Sequence, residues 1–261
     1  EILVHTMEIA ESHRHEVVHG IVDSVWLRPK PDADDIRVVQ EHIAGATGLP
    51  IELEGRYKWI VFLPCKTTGV GALNRYYGLY EHDEFKLRGI ELRKHDTPEF
   101  INVCQEAMLG ELSYARNAAE FRERIPLAIN VLRWTAKRVL DRAIPVHQFI
   151  LTKSVSRALP EYVVLTSTAA ALKQLDAWEY IRLLCRSGQT LLAPFGYTEE
   201  TLLSLCRDFS DVTRPEKAKE IEVHESVMSP GHSRARGGVG YAPRWRVQED
   251  EAEPEDIPAE T

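Results

Sequence analysis

At Asp96-Thr97-Pro98 the hydrophobic rhythm of the chain changes, and with it the kind of structure each side can form. Upstream, short β-branched and aromatic runs alternate with turn residues. The runs are Glu16 to His19, Val22 to Leu27, Ile51 to Leu53, Tyr57 to Leu63, Arg75 to Tyr80 and Phe85 to Leu92. Cut by Gly20, by Pro29 and Pro31, and by the polar Glu81-His82-Asp83-Glu84 turn, such runs predict strands and hairpins. The first two make a hairpin with its tip near residues 20–23. Helical spacing predicts a helix ahead of it over residues 2–13, with Ile2, Thr6, Ile9, Ala10 and His13 in register. A second helix is opened by Asp32, Asp34 and Asp35, shows Ile36, Val39 and Ile43 on one face, and is closed by Gly48 and Pro50. Residues 16–92 therefore read as an antiparallel sheet with one helix.

Downstream, Thr97 suits an N-cap and Pro98 the first helical position of a helix over residues 98–115. Pro126 starts another that runs to about Arg142, with Ile129, Leu132, Ala136 and Val139 on one face. A short strand from Phe149 to Thr152 precedes helices near residues 167–175, 178–192 and 198–208. From about residue 213 the composition turns to Pro, Gly, Arg and Glu without apolar period, which predicts disorder to residue 261. A sheet followed by helices is an α+β architecture, divided here into 1–96, 97–212 and a tail.

The 261 residues are 44% hydrophobic and 28% charged, ordinary for a globular chain. No apolar run approaches the roughly 20 residues that span a bilayer, and no signal peptide is visible. Glu1 already lies inside an amphipathic pattern, so the sequence reads as part of a longer or trimmed chain. Cys65, Cys104, Cys185 and Cys206 form no Cys-x-x-Cys pair. Scattered thiols of this kind predict buried small side chains in a reducing, cytoplasmic compartment. The net charge of −8 misleads, because residues 249–261 hold seven acids and no base, and the rest has 33 acids against 32 bases. Within that rest, residues 111–160 carry nine Arg or Lys against four Asp or Glu, and residues 228–248 carry four Arg and no acid. An acidic tail beside basic segments is compatible with nucleic-acid binding without establishing it.

The first hairpin reads His19-Gly20-Ile21-Val22-Asp23-Ser24. It resembles, in damaged form, the Tyr-Gly-Asp-Thr-Asp-Ser motif of family B DNA polymerases, which sets two carboxylates at a hairpin tip. The downstream segments keep the order of that family. Leu73-Asn74-Arg75-Tyr76-Tyr77-Gly78 is similar to its Lys-Lys-Arg-Tyr-x-Gly primer-contact segment. Arg88-Gly89-Ile90-Glu91-Leu92-Arg93 and Asp96-Thr97-Pro98 resemble its Arg-Gly-(Leu/Ile)-Glu strand and the entry to its thumb. Leu151-Thr152-Lys153 and Glu161-Tyr162 resemble the strand and loop after the long thumb helices. The likeness runs from about residue 2 to 210 and is nearest to an archaeal-type branch whose polymerase site has decayed.

This resemblance implies an antiparallel-sheet palm followed by a mainly helical thumb that grips a primer-template duplex through its phosphates. It implies Asp23 as the remaining metal and catalytic carboxylate, and Lys66, Arg75, Tyr76, Gly78, Arg88 and Arg93 as DNA-binding positions. Phosphoryl transfer by two magnesium ions needs clustered carboxylates. Here Ile21 occupies the partner position and cannot ligate, Val22 stands for the Thr, and Leu73 and Asn74 replace both lysines. The connection from Leu175-Asp176 to Trp178-Glu179-Tyr180 is also short for the family. The exonuclease region, the fingers and the other palm carboxylate would all precede Glu1.

A non-catalytic DNA-binding or accessory component of replication or repair is therefore expected, without cofactor, beside other polymerase or replication subunits, and with no membrane. The alternative is a piece of an active polymerase that uses Asp23, upstream carboxylates and Mg2+. A protein-interaction scaffold is a third reading. Other features stay ordinary. The loop Pro64 to Gly71, with Lys66, lacks Walker order. His13, His15 and His19 have no acid or Cys at ligand spacing to complete a metal site, and predict a surface or interface role. Trp134 reads as core. Arg133, Lys137 and Arg138 make either a phosphate-tracking helix face or a solvated one.

Overall fold

The computed structural model describes residues 1–65, 69, 71–93, 97–150 and 176–216, apart from the side chains of Leu73 and Arg93. Lys66, the Asp96 boundary, the segment 151–175 and the tail from residue 217 lie outside the described residues. The chain is α+β, and all strand pairings among the described residues are antiparallel. Two compact units divide at Arg56/Tyr57.

In the first unit, α1 (Ile2–Ser12) buries Thr6, Ile9 and Ala10. Strands β1 (His15–Ile21) and β2 (Ser24–Pro29) pair as a hairpin whose two-residue turn is Val22-Asp23. Helix α2 (Ile36–Thr47) starts where the Asp35 carboxylate accepts the Arg37 N–H, and ends at Gly48 in the left-handed conformation. Ile9, Ala10, Val39 and Ile43 form this unit's small core, with Leu27 and Ile36 against it. The run Ile51 to Leu53 is not a strand. It finds no partner edge, and its Ile51 and Leu53 side chains are exposed.

The second unit holds the sheet β3-β4-β5, formed by β3 (Tyr57–Pro64), β4 (Gly71–Tyr80) and β5 (Phe85–Arg88). Residues of a strand alternate between faces. Trp59, Val61 and Leu63 are buried along β3 while their neighbours are half-exposed. They share one core with Tyr77, Leu79, Phe85 and Leu87 and with four helices: α3 (Glu99–Leu112), α4 (Ala118–Leu140), α5 (Ala177–Leu192) and α6 (Glu199–Leu205). Trp59 shows why. Its ring lies 4.7 Å from Phe121 of α4, and its Nε1–H donates to the Ala115 carbonyl at 3.1 Å. The compact units therefore do not part near Asp96, where the sequence changes rhythm, because sheet and helices bury the same apolar face. The sheet expected over residues 16–92 is likewise two sheets, one in each unit.

Three element boundaries differ from expectation. Pro98, not Thr97, stands at the N-cap of α3, and the Thr97 hydroxyl turns back to the Glu91 carbonyl. Helix α4 starts at Ala118 and runs through Pro126, because the Asn117 side chain caps both Ala119 N–H and Glu120 N–H. Burial of Phe121 and Ile125 outweighs the single backbone donor that proline lacks. Phe149 belongs to a 3-10 turn, Val146–Phe149, rather than a strand. Helices α5 and α6 lie close to their expected ranges. Cys104, Cys185 and Cys206 are buried thiols, as expected, and burial pushes Cys104 up to about 12. No helix of the described residues is long and apolar enough to cross a membrane.

Candidate nucleic-acid interface

The hairpin of the first unit presents its turn to solvent. Val22 is 90% exposed, and Asp23 beside it is exposed and accepts a hydrogen bond from the Ser24 hydroxyl at 3.2 Å. Ile21, the last residue of β1, pairs with Ser24 and is half-buried. The tip thus offers a single carboxylate, on the turn rather than the strand. No group of three or more His, Cys, Asp or Glu side chains able to hold a metal occurs among the described residues.

In the second unit, Arg75 and Arg88 stand at the same end of the β4-β5 pair, where Tyr76 opposes Arg88. The Arg75 Nε–H donates to the Gly89 carbonyl at 3.2 Å. Gly89 has φ +64, and a Cβ there would lie 2.7 Å from Arg75 Cγ and 3.0 Å from the Asn74 carbonyl oxygen. Only glycine lets the arginine stem cross the strand end in this way. Two stretches distant from one another in sequence, around Arg75 and around Arg88-Gly89, are thereby one structural feature. Glu91, a little further on, is tied inward: its carboxylate accepts from the Thr190 hydroxyl at 3.1 Å and from Gln105 Nε2 at 3.1 Å. Gln105 is fully buried, and it also bonds Leu92 N–H and Ser187. Sequence reading missed Gln105, although a glutamine inside the apolar run of α3 is a visible signal for a buried polar hub.

Tyr76 and Gly78 are not surface positions. Tyr76 is 5% exposed, with its ring 5.8 Å from Phe62. A Cβ on Gly78 would stand 2.8 Å from the Tyr57 ring and 3.1 Å from Ile60. Tyr57 in turn stacks on Tyr80, and their hydroxyls bond at 2.9 Å. Both residues were expected to contact DNA, but burial assigns their side-chain space to sheet packing. Gly78→Val should therefore destabilise the fold by about 1–3 kcal/mol, the usual cost of overpacking. Urea denaturation reads this directly, and an unchanged midpoint would show that the Tyr57 ring yields freely. Lys66 lies outside the described residues, and so does the Arg93 side chain.

The basic face of α4 is largely engaged within the chain. The Arg133 guanidinium donates to the Leu205 carbonyl at 3.0 Å, to the Asp208 carbonyl and to both carboxylate oxygens of Asp211. The Asn130 side-chain amide clasps Thr213, donating to its carbonyl at 3.0 Å and accepting its N–H at 3.1 Å. Lys137 pairs with Asp141, and Arg138 lies over the Trp134 ring at 4.8 Å. Residues 205–213 thus form a strap fastened along α4. Arg133 holds the Asp211 carboxyl below its usual range. A carboxylate depressed in the folded state stabilises above its unfolded value and loses that contribution as pH falls through the folded one. The strap should stay fastened at neutral pH and loosen below about pH 4, the ordinary Asp range. Limited proteolysis within 205–213 should accelerate there and in Asp211→Asn at neutral pH. Equal cleavage of wild type and variant at neutral pH would count against the clasp.

No family model matches the chain. A stretch of 131 residues, 49% of the chain, is 24% identical to DNA polymerase 1 of Sulfolobus acidocaldarius and covers 14% of that protein. Another of 165 residues, 62% of the chain, is 19% identical to DNA polymerase 1 of Saccharolobus solfataricus and covers 17% of it. The chain resembles archaeal DNA polymerases. It spans less than a fifth of the length of these polymerase relatives. A solved family B DNA polymerase from Pyrobaculum calidifontis aligns over 67% of this chain and 21% of its own, with a TM-score of 0.45 at 20% identity.

Proposed function

We propose that this chain is the palm and thumb portion of a polymerase-related protein, and that it holds primer-template DNA without catalysing nucleotide addition. The observation behind this reading is the hairpin tip, where Ile21 fills the position of a metal carboxylate and Asp23 stands alone on the turn. In-line phosphoryl transfer holds its two magnesium ions among clustered carboxylates, and one carboxylate on an exposed turn supplies too few ligands for both. The palm would comprise residues 1–96 and the thumb residues 97–212, contacting phosphates through Arg75 and Arg88, with Lys66 and Arg93 as further contacts. The DNA would come with other replication or repair subunits, and no Mg2+ would be needed for holding it.

Primer extension with Mg2+ or Mn2+ tests the reading. Residues 1–261 should extend no primer. In a longer protein that contains this chain together with fingers and the remaining palm, extension should be weak. There Ile21→Asp should raise it roughly a thousandfold, the worth of about 4 kcal/mol at the transition state. Vigorous extension with Ile21 in place would favour instead an active enzyme that uses Asp23 with carboxylates from elsewhere.

A further inference from the structure

The first unit contains a relay of side chains that its sequence spacing conceals. His13, the C-cap of α1, sends Nδ1 to Asp34 Oδ2 at 2.6 Å and Nε2 to His42 Nδ1 at 2.8 Å. The two rings meet edge to face, with centroids 5.1 Å apart at 84°. Asp34 is held in place from both sides, its N–H donating to the His13 carbonyl at 3.3 Å and its own carbonyl facing His15 Nε2 at 2.9 Å. The His13 side chain is 16% exposed, whereas His42 lies on the exposed side of α2.

An ionised carboxylate only accepts hydrogen bonds, so Asp34 fixes the proton of neutral His13 on Nδ1. The Nε2 lone pair then points at His42 Nδ1. A histidine whose far nitrogen is anchored by a carboxylate is the arrangement that orients imidazole ligands toward metals. When His42 carries its proton on Nε2, two lone pairs converge on one gap, and a cation relieves their repulsion.

We propose that His13 Nε2 and His42 Nδ1 form an open site for a borderline divalent ion of the zinc, nickel or copper kind. Asp34 acts as the positioning residue, and water completes the coordination. Imidazole donors suit these ions. Tetrahedral zinc with Zn–N bonds of about 2.0–2.1 Å spaces its nitrogens by roughly 3.3 Å. The rings must therefore part by about half an ångström from their present 2.8 Å, a movement the exposed His42 can make. Binding transfers the His42 proton from Nδ1 to Nε2 through water, with no net release. The bound ion ties the end of α1 to α2. With two protein ligands the site is weaker than a closed structural one, and no third described His, Cys, Asp or Glu completes it.

Calorimetric titration of the whole chain with zinc chloride at neutral pH tests this. Wild type should bind one equivalent more than His42→Ala at sub-millimolar zinc, and Asp34→Asn should weaken that equivalent by about tenfold. Thiols and histidines elsewhere contribute equally to wild type and variants, so the difference isolates the site. His19→Ala, which removes the ring beside Trp26, should bind as wild type does. Alanine on an exposed helix position keeps α2 intact. As a second reading, zinc should shift the His13 Nε2 resonance in wild type and not in His42→Ala. Equal zinc stoichiometry in wild type and His42→Ala, or an unmoved His13 resonance, would overturn the site. Unaltered affinity in Asp34→Asn would overturn the role given to Asp34.

Discussion

Raising salt fourfold should weaken binding of a primer-template duplex to this chain about 500-fold, since neutralising about five phosphates gives a slope near −4.5 in log K against log salt. Arg75→Ala should remove about one unit from that slope, because one counterion fewer is released. The structure sharpens the comparison. Arg133 is engaged by Asp211 and two carbonyls, so Arg133→Ala should leave the slope unchanged. Tyr76→Ala should weaken binding only as far as it disturbs the sheet, given its burial. Deleting the acidic residues 249–261 should tighten binding, most at low salt where screening is weakest. Fluorescence anisotropy at several salt concentrations measures all of these. Affinity indifferent to salt, or to Arg75→Ala and tail deletion alike, would favour a protein-interaction scaffold.

Phe121→Ala should cost about 3–5 kcal/mol, the range for emptying a buried aromatic site. The ring is 2% exposed and lies 4.7 Å from Trp59, 6.4 Å from Tyr77 and 5.2 Å from Phe195. It joins β3 and β4 to α4 and to the turn after α5. Sheet and helices of the second unit should therefore unfold together, and the variant should lower one shared transition rather than split it. Thermal melts followed by circular dichroism and by tryptophan emission should coincide. Loss of helix signal with the sheet signal retained would show that residues on either side of Asp96 fold separately after all.

Local chemistry made much of the fold legible. Asp35 and Gly48 mark the ends of α2, and the Tyr57, Arg75 and Phe85 runs locate the three strands of the second unit. The α4 start was not legible, because a proline is a strong local signal and the burial of Phe121 and Ile125 that overrides it is a tertiary fact. The division into compact units at Arg56/Tyr57 was not legible for a related reason: periodicity reports which element forms, not which elements share a core. At the candidate interface, Arg75 could be read from its motif, but not that it leans on Gly89. Tyr76 and Gly78 stood in the same motif with the opposite exposure. Arg133 looked like a free basic face because Asp211, its partner, lies 78 residues away. His13 meets Asp34 and His42 across 21 and 29 residues, beyond any ligand-spacing rule.

The buried phenol of Tyr77 donates to the Leu191 carbonyl at 2.7 Å, across 114 residues of sequence. During synthesis, at about 5–20 residues per second, the central strand would wait roughly 6–23 s for that acceptor to be made. Thr190 and Glu91 meet across a similar separation of 99 residues. Until α5 leaves the ribosome, the apolar face of the strand bearing Tyr77 and Leu79 lacks the part of its cover that α5 supplies. A nascent chain stalled before residue 177 should accordingly be a better client for a ribosome-associated chaperone than one stalled after residue 216, once α5 and α6 have been made.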